Sequence, residues 1–262
     1  MNFSVFLLLS LSGMTVVVLF LGRGALRGGF ERDAFPTPGR RTAALLLLFF
    51  LLAVFVVVPF SSGLSTHESD REKLSAGALF ATPATIIVFL SAYYVLSGKK
   101  PLLDFLALRT ERPLRLFVVG LPIAAVAWAS SIAGTIAVQL VFSVFTVKKP
   151  VAPHGSPLVS AIVSLSTPTK IAIVLSAMIF EEIFFRSFLQ PRVGAVGSTV
   201  FFTLAHGVYG EPMMLVGILI LSSVLAVTFQ IYKNVLPCMA AHGAFDAFQL
   251  FVMIPVAMKF VT

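Results

Sequence analysis

Residues 170–192 read KIAIVLSAMIFEEIFFRSFLQPR. Ile171 to Phe180 is an unbroken run of apolar or small residues, as in a membrane-spanning helix. Glu181 and Glu182 then follow side by side, with Arg186 four positions on. A charged side chain at the centre of a bilayer costs roughly 2.5–3.5 kcal/mol on insertion scales, and such residues face a bundle interior or a watery cavity. Residues four apart share a helical face, so Glu182 and Arg186 are expected to pair. Successive residues point about 100° apart, so Glu181 is left to face something else. The plain alternative is that both acids only satisfy other buried polar groups in helix packing.

Working outward, the whole chain has the same character. Of its 262 residues 58% are hydrophobic and only 11% charged, against about 25% charged in a soluble domain. Mean hydropathy is +1.00. The expected fold is all-α, a polytopic membrane bundle of about eight transmembrane helices. The net charge of +8 resides in short loops, where it sets topology and meets the headgroups of the lipid bilayer; no nucleic-acid partner is expected. Cys238 is the single cysteine, so an intrachain disulfide and a cysteine metal cluster are both excluded. In an apolar span it reads as a small core residue.

The spans are read as 3–21, 42–59, 76–96, 116–145, 170–190, 194–209, 213–231 and 235–258. The first has no basic residue before it and no small-residue cleavage site after it, so it reads as a retained helix rather than a signal peptide. Pro36 and Pro38 are expected to break any helix between Arg23 and Arg41. Residues 99–115 mix Leu102, Leu103, Phe105, Leu106 and Leu108 with Asp104, Arg109 and Arg112, as either a short interfacial helix or an ordinary basic loop. Polar loops at 61–75 and 146–169 hold His67 and His154, which read as solvated. Residues 1–169 form an N-terminal set of membrane helices and 170–262 a catalytic-type core.

Charge sets orientation. With eight spans, the loops at 23–41 and 97–115 and those around 192 and 233 share one side and carry 12 Lys/Arg, against 6 on the other. The first side is expected to be cytoplasmic. Counted along the spans at 1.5 Å per residue, His206, His242 and Asp246 lie roughly 18, 10 and 16 Å from it, and Glu181 about 16 Å from the other side. Ionisable groups on three spans thus share one layer, in the cytoplasmic half of an integral protein of the cell or ER membrane.

Three patterns carry chemistry: Glu181-Glu182-x-x-x-Arg186, Phe202-x-x-x-His206 and His242-x-x-x-Asp246. A carboxylate near two histidines can activate water, polarise a carbonyl and protonate a leaving amine. Glu181, His206 and His242 also form a possible ligand set for a divalent metal such as zinc, with an open position. A non-catalytic scaffold or immunity protein, or a proton-coupled transporter, is the alternative use of buried acids. The corresponding broken helices in two related halves that mark many transporters are not seen.

The three patterns, in this order on successive membrane helices, resemble those of the CAAX protease and bacteriocin-processing family of intramembrane proteases, which includes Ras-converting CAAX endopeptidases. The resemblance covers the chain from Lys170 onward. It implies an endopeptidase acting on a membrane-associated peptide or protein, prenylated or not. It further implies Glu181 as general base on water, Glu182 and Arg186 in support, and His206 holding or activating the water. Phe202 would pack the cavity, with Phe245 another lining candidate. His242 would be an oxyanion-side donor or metal ligand. Asp246 stands where the family has Asn or Asp. An ionised Asp cannot donate to an oxyanion; it would orient a histidine, bind a metal, or carry its own proton. The family has been described both as metal-dependent and as glutamate-type, and the sequence favours the glutamate type slightly.

Overall fold

Long runs of Leu, Val, Phe and Ala without polar partners can satisfy their backbone in a bilayer only as helices or closed barrels. Helices are what the computed structural model contains, with no strand among the described residues. It describes residues 3–62, 76–98, 100–145, 164–209 and 212–258. The elements are α1 (Phe3–Leu26), α2 (Pro38–Ser62), α3 (Ala76–Leu96), a single-turn α4 (Leu102–Phe105), α5 (Pro113–Phe145), α6 (Thr167–Ser176), α7 (Gln190–Ala205), α8 (Pro212–Tyr232), α9 (Leu236–Phe248) and a short α10 (Ile254–Met258). Wide π turns continue α6 over Ala177–Glu181 and Ile183–Leu189, and link α9 to α10 over Gln249–Met253.

Each of the eight expected spans falls on a helix. Five are long and apolar enough to cross a membrane: Ser4–Leu26, Pro38–Pro59, Pro113–Phe145, Met213–Tyr232 and Leu236–Val256. Phe80–Leu96 is a shorter apolar helix. The two segments carrying Glu181 and His206 are not among them. One holds the charged groups and the other, α7, is short.

Several boundaries differ from expectation. Pro38 does not break a helix but opens one, α2, because a proline in the first turn gives up a donor that has no helical acceptor there. Arg40 and Arg41 therefore stand in the first turns of α2, and Arg23 in the last turn of α1. Pro191 does not close the span that starts near Lys170. The helical path continues past it and turns at Gly194, whose φ of 86° is readily adopted only without a side chain. The loop positions of His67 and His154 lie outside the described residues.

One end of the bundle is tied. Gly98 N donates to the carbonyl of Asp33, Val235 N to that of Ala107, and Asn234 Nδ2 to that of Arg109, at 3.0, 3.0 and 3.3 Å. Ser187 Oγ donates to the carbonyl of Leu106 at 2.7 Å. The loops after α1, α3, α6 and α8 thus meet, as the eight-span reading requires of loops on one side. Of the stretch 99–115, read as a short helix or a basic loop, Leu102–Phe105 forms the single turn α4, where Leu102 and Leu103 are exposed and Asp104 pairs with Arg109 at 3.2 Å.

The N-terminal helices pack directly on the later ones. α5 presents Gly120, Ala124, Ala127 and Ser131, a buried stripe of small residues on an otherwise exposed helix. Such stripes let backbones approach. A Cβ at Gly120 would collide with the carbonyl of Pro237 in α9. Between α2, α3 and α6 lies an aromatic core in which Phe55, Phe89, Tyr93, Phe184 and Phe188 meet mostly edge to face.

Candidate active site

The two π segments lie on either side of Glu182. π turns are rare and concentrate at functional sites. Glu182 points into the protein and is fully buried, while Glu181 keeps 13% of its side chain exposed.

Glu182 has two partners. Its Oε2 accepts from Nε of Arg186 at 3.2 Å, one turn along the same helix. Its Oε1 accepts from Nδ1 of His242 in α9 at 2.9 Å. Arg186, also fully buried, uses its remaining nitrogens on the hydroxyls of Ser222, at 2.9 Å, and Ser198, at 3.5 Å. This spreads the charge over α6, α7, α8 and α9. Nε2 of His242 faces Oδ2 of Asp246 at 3.3 Å. The imidazole is thereby held between a buried carboxylate and a partly exposed one.

Glu181 belongs to a second group. Its Oε2 lies 3.6 Å from Nε2 of His206 and has no hydrogen-bond partner among the described residues. Nδ1 of His206 is 2.7 Å from the carbonyl of Phe202. A carbonyl only accepts, so Nδ1 carries a proton, and in the neutral form of His206 the Nε2 lone pair is directed toward Glu181.

Phe202 joins the two groups. Its ring stacks on His206 with centroids 4.5 Å apart, meets His242 edge to face at 5.7 Å and lies 5.2 Å from the Arg186 guanidinium. Both imidazoles therefore sit on one aromatic ring that is itself buried. Among the sequence candidates, Glu181, Glu182, Arg186, Phe202, His206, His242 and Asp246 all come together, while Phe245 packs partly buried against the core.

The possible metal ligands are not drawn together as a metal site: Nε2 of His242 faces Asp246, while Glu181 and Nε2 of His206 face each other. Among the described residues no three His, Cys, Asp or Glu side chains are grouped as ligands. Cys238 is fully buried, its thiol directed at the carbonyl of Leu225.

Burial changes abruptly at the site. Along α6 and its π turns, residues 182–190 are buried and 176–181 half-buried; along α9, 237–243 are buried and 244–247 half-buried. In α7, Phe201 and Phe202 are buried, and 203–207 half-buried. On all three helices the closed part lies toward the tied end. A surface pocket of about 750 Å³ lies elsewhere, beside Glu111, Arg112, Arg115 and Pro122, and none of the three motifs lines it.

Sequence reasoning missed the contact from Glu182 to His242, the serines that receive Arg186, and the π turns. Ser198 and Ser222 are unremarkable in sequence; only a buried arginine with unused donors signals that such acceptors must exist. No curated protein and no solved structure matches the chain. Residues 163–248, which include every residue of the three motifs, match the family model described as type II CAAX prenyl endopeptidase Rce1-like, in line with the resemblance that the motifs carry.

Proposed function

We propose that the protein is an intramembrane endopeptidase that hydrolyses a peptide bond of a membrane-associated substrate, with Glu181 as general base on water. The observation that carries this reading is the Glu181–His206 pair. Two acceptors, a carboxylate oxygen lacking a hydrogen-bond partner among the described residues and the Nε2 left by a proton on Nδ1, lie 3.6 Å apart. One water placed beside them can donate to both.

In the proposed reaction Glu181 takes a proton from that water as its oxygen attacks the scissile carbonyl carbon. The carbonyl oxygen becomes the tetrahedral oxyanion. Glu181 then returns the proton to the amide nitrogen, the C–N bond breaks, and a carboxylic acid and an amine leave. His206 orients the water through Nε2. His242, aligned by Glu182 and Asp246, supplies the N–H donor: its Nε2 turns from Asp246 to the oxyanion as charge develops there. Donors to an oxyanion typically account for about 10²–10³ in kcat each. No step passes through a metal.

The matched family supports a prenylated C-terminal peptide as the substrate class. Charge excess assigns the tied end to the cytoplasm, whereas the burial gradient supports access from the opposite end of the bundle. The test of the whole reading is hydrolysis of prenylated and unprenylated membrane peptides by the purified protein, with Glu181→Gln as control. Equal product from both proteins would sink it.

A further inference from the structure

One buried ion pair is used by none of this chemistry. Arg192 and Asp33 stand 159 positions apart, yet Nε meets Oδ2 at 3.0 Å and Nη2 meets Oδ1 at 2.5 Å, both residues being buried. The hydroxyl of Tyr93 donates to the same Oδ2 at 2.8 Å. The guanidinium lies 3.9 Å from the ring centre of Phe188 and 5.3 Å from that of Tyr93, and its Nη1 donates to the Phe188 carbonyl. On the other side, Gly24 and Gly29 approach the carbonyl of Arg192 so closely that a Cβ on either would collide with it. Residue 192 is gripped by α1, by the loop after it, and by α3.

Arg192 lies on the helical path that carries Glu181 and Glu182, just before the turn at Gly194. Wide turns on both sides of Glu182 interrupt the regular i to i−4 ladder of this path. Its rotation about its own axis then depends on what holds its end. A buried ion pair is often no better for stability than a well-packed apolar pair, and its best-attested use is to set register.

We propose that Asp33 and Tyr93, acting through Arg192, are positioning residues that set the rotation of the Glu181–Glu182 helix. They lie outside the family-matched segment, which makes the N-terminal half part of the machinery of the site. The functional consequence rests on the endopeptidase reading above; the structural consequence does not.

The experiment uses the full-length protein in lipid nanodiscs and the paired exchange Asp33→Leu with Arg192→Met. Melting temperature, kcat, KM and hydrogen exchange across residues 177–189 are measured. The expected result is an unchanged or higher melting temperature, an unchanged KM, kcat lower by about 10- to 100-fold, as slight misplacement of reacting groups produces, and faster exchange across 177–189. A folded variant with wild-type kcat, or with lowered kcat and unchanged exchange, overturns the proposal. If the exchanged pair does not fold, Tyr93→Phe, which removes one hydrogen bond, is judged by the same two readouts. If the wild type cleaves no peptide, the endopeptidase reading fails, and hydrogen exchange alone decides whether the clamp holds the helix.

Discussion

Nδ1 of His242 donates to Oε1 of Glu182 across 60 positions of the chain, at 2.9 Å and almost entirely out of solvent. By helical spacing Glu182 belongs to Arg186, and that contact is present at 3.2 Å. The second contact makes Glu182 the residue that orients an imidazole.

Glu181→Gln is expected to keep the fold and lose hydrolysis by about 10²–10⁴, the usual contribution of a positioned general base. The replacement is nearly isosteric, and Oε2 of Glu181 has no hydrogen-bond partner to lose. Rates on a membrane peptide, taken with a melting curve, check this. A variant that keeps full activity would remove Glu181 from the chemistry.

Arg186→Met should act on stability first. Both side chains of the Glu182–Arg186 pair are fully buried, and removing one partner of such a pair typically costs about 3–5 kcal/mol. The hydroxyls of Ser198 and Ser222 would also lose their donor. Lower yield and a lower melting temperature in detergent are expected. Normal stability with selective loss of hydrolysis would move Arg186 into the reaction itself.

Asp246→Asn should retain activity within about tenfold, because an amide oxygen can still accept from Nε2 of His242. Asp246→Leu removes that acceptor and should lower kcat by about 10² or more, by analogy with the loss of a preorganised donor. Equal activity of the two variants would show that Asp246 does not align His242.

Dialysis against a chelator should leave activity in place, since both nitrogens of His242 are already directed at carboxylates. Loss of activity that returns on adding zinc would mean that the histidines turn to a metal in the working enzyme.

Access can be read from cysteine labelling in oriented vesicles. The single native thiol, Cys238, is fully buried, so background is low. An impermeant thiol reagent should reach Thr110→Cys and Thr167→Cys from opposite sides, since they stand at the two ends of the bundle. Ser176→Cys, on the half-buried side of the site, should label from the same side as Thr167→Cys. Labelling of Ser176→Cys from the Thr110 side would place the opening at the tied end instead.

Much of this was already written in one dimension. A run without charge must become helix in a bilayer, because no other open backbone can satisfy its hydrogen bonds there. Eight largely apolar segments, two of them carrying charged residues, and the spacing of three polar motifs could therefore be read directly. So could the pairing of Glu182 with Arg186, a property of helical period alone. Tertiary structure decided what depends on closeness between distant positions. It brought His242 to Glu182 and His206 to Glu181, and put both imidazoles on Phe202. It moved the turn after α6 from Pro191 to Gly194. It also found for Arg192, which reads as a loop cation, a buried partner in Asp33. The period of a helix is a local property and survives in sequence; the partner of a buried charge is whichever group the packed bundle brings within about 3 Å of it, and no spacing along the chain records that.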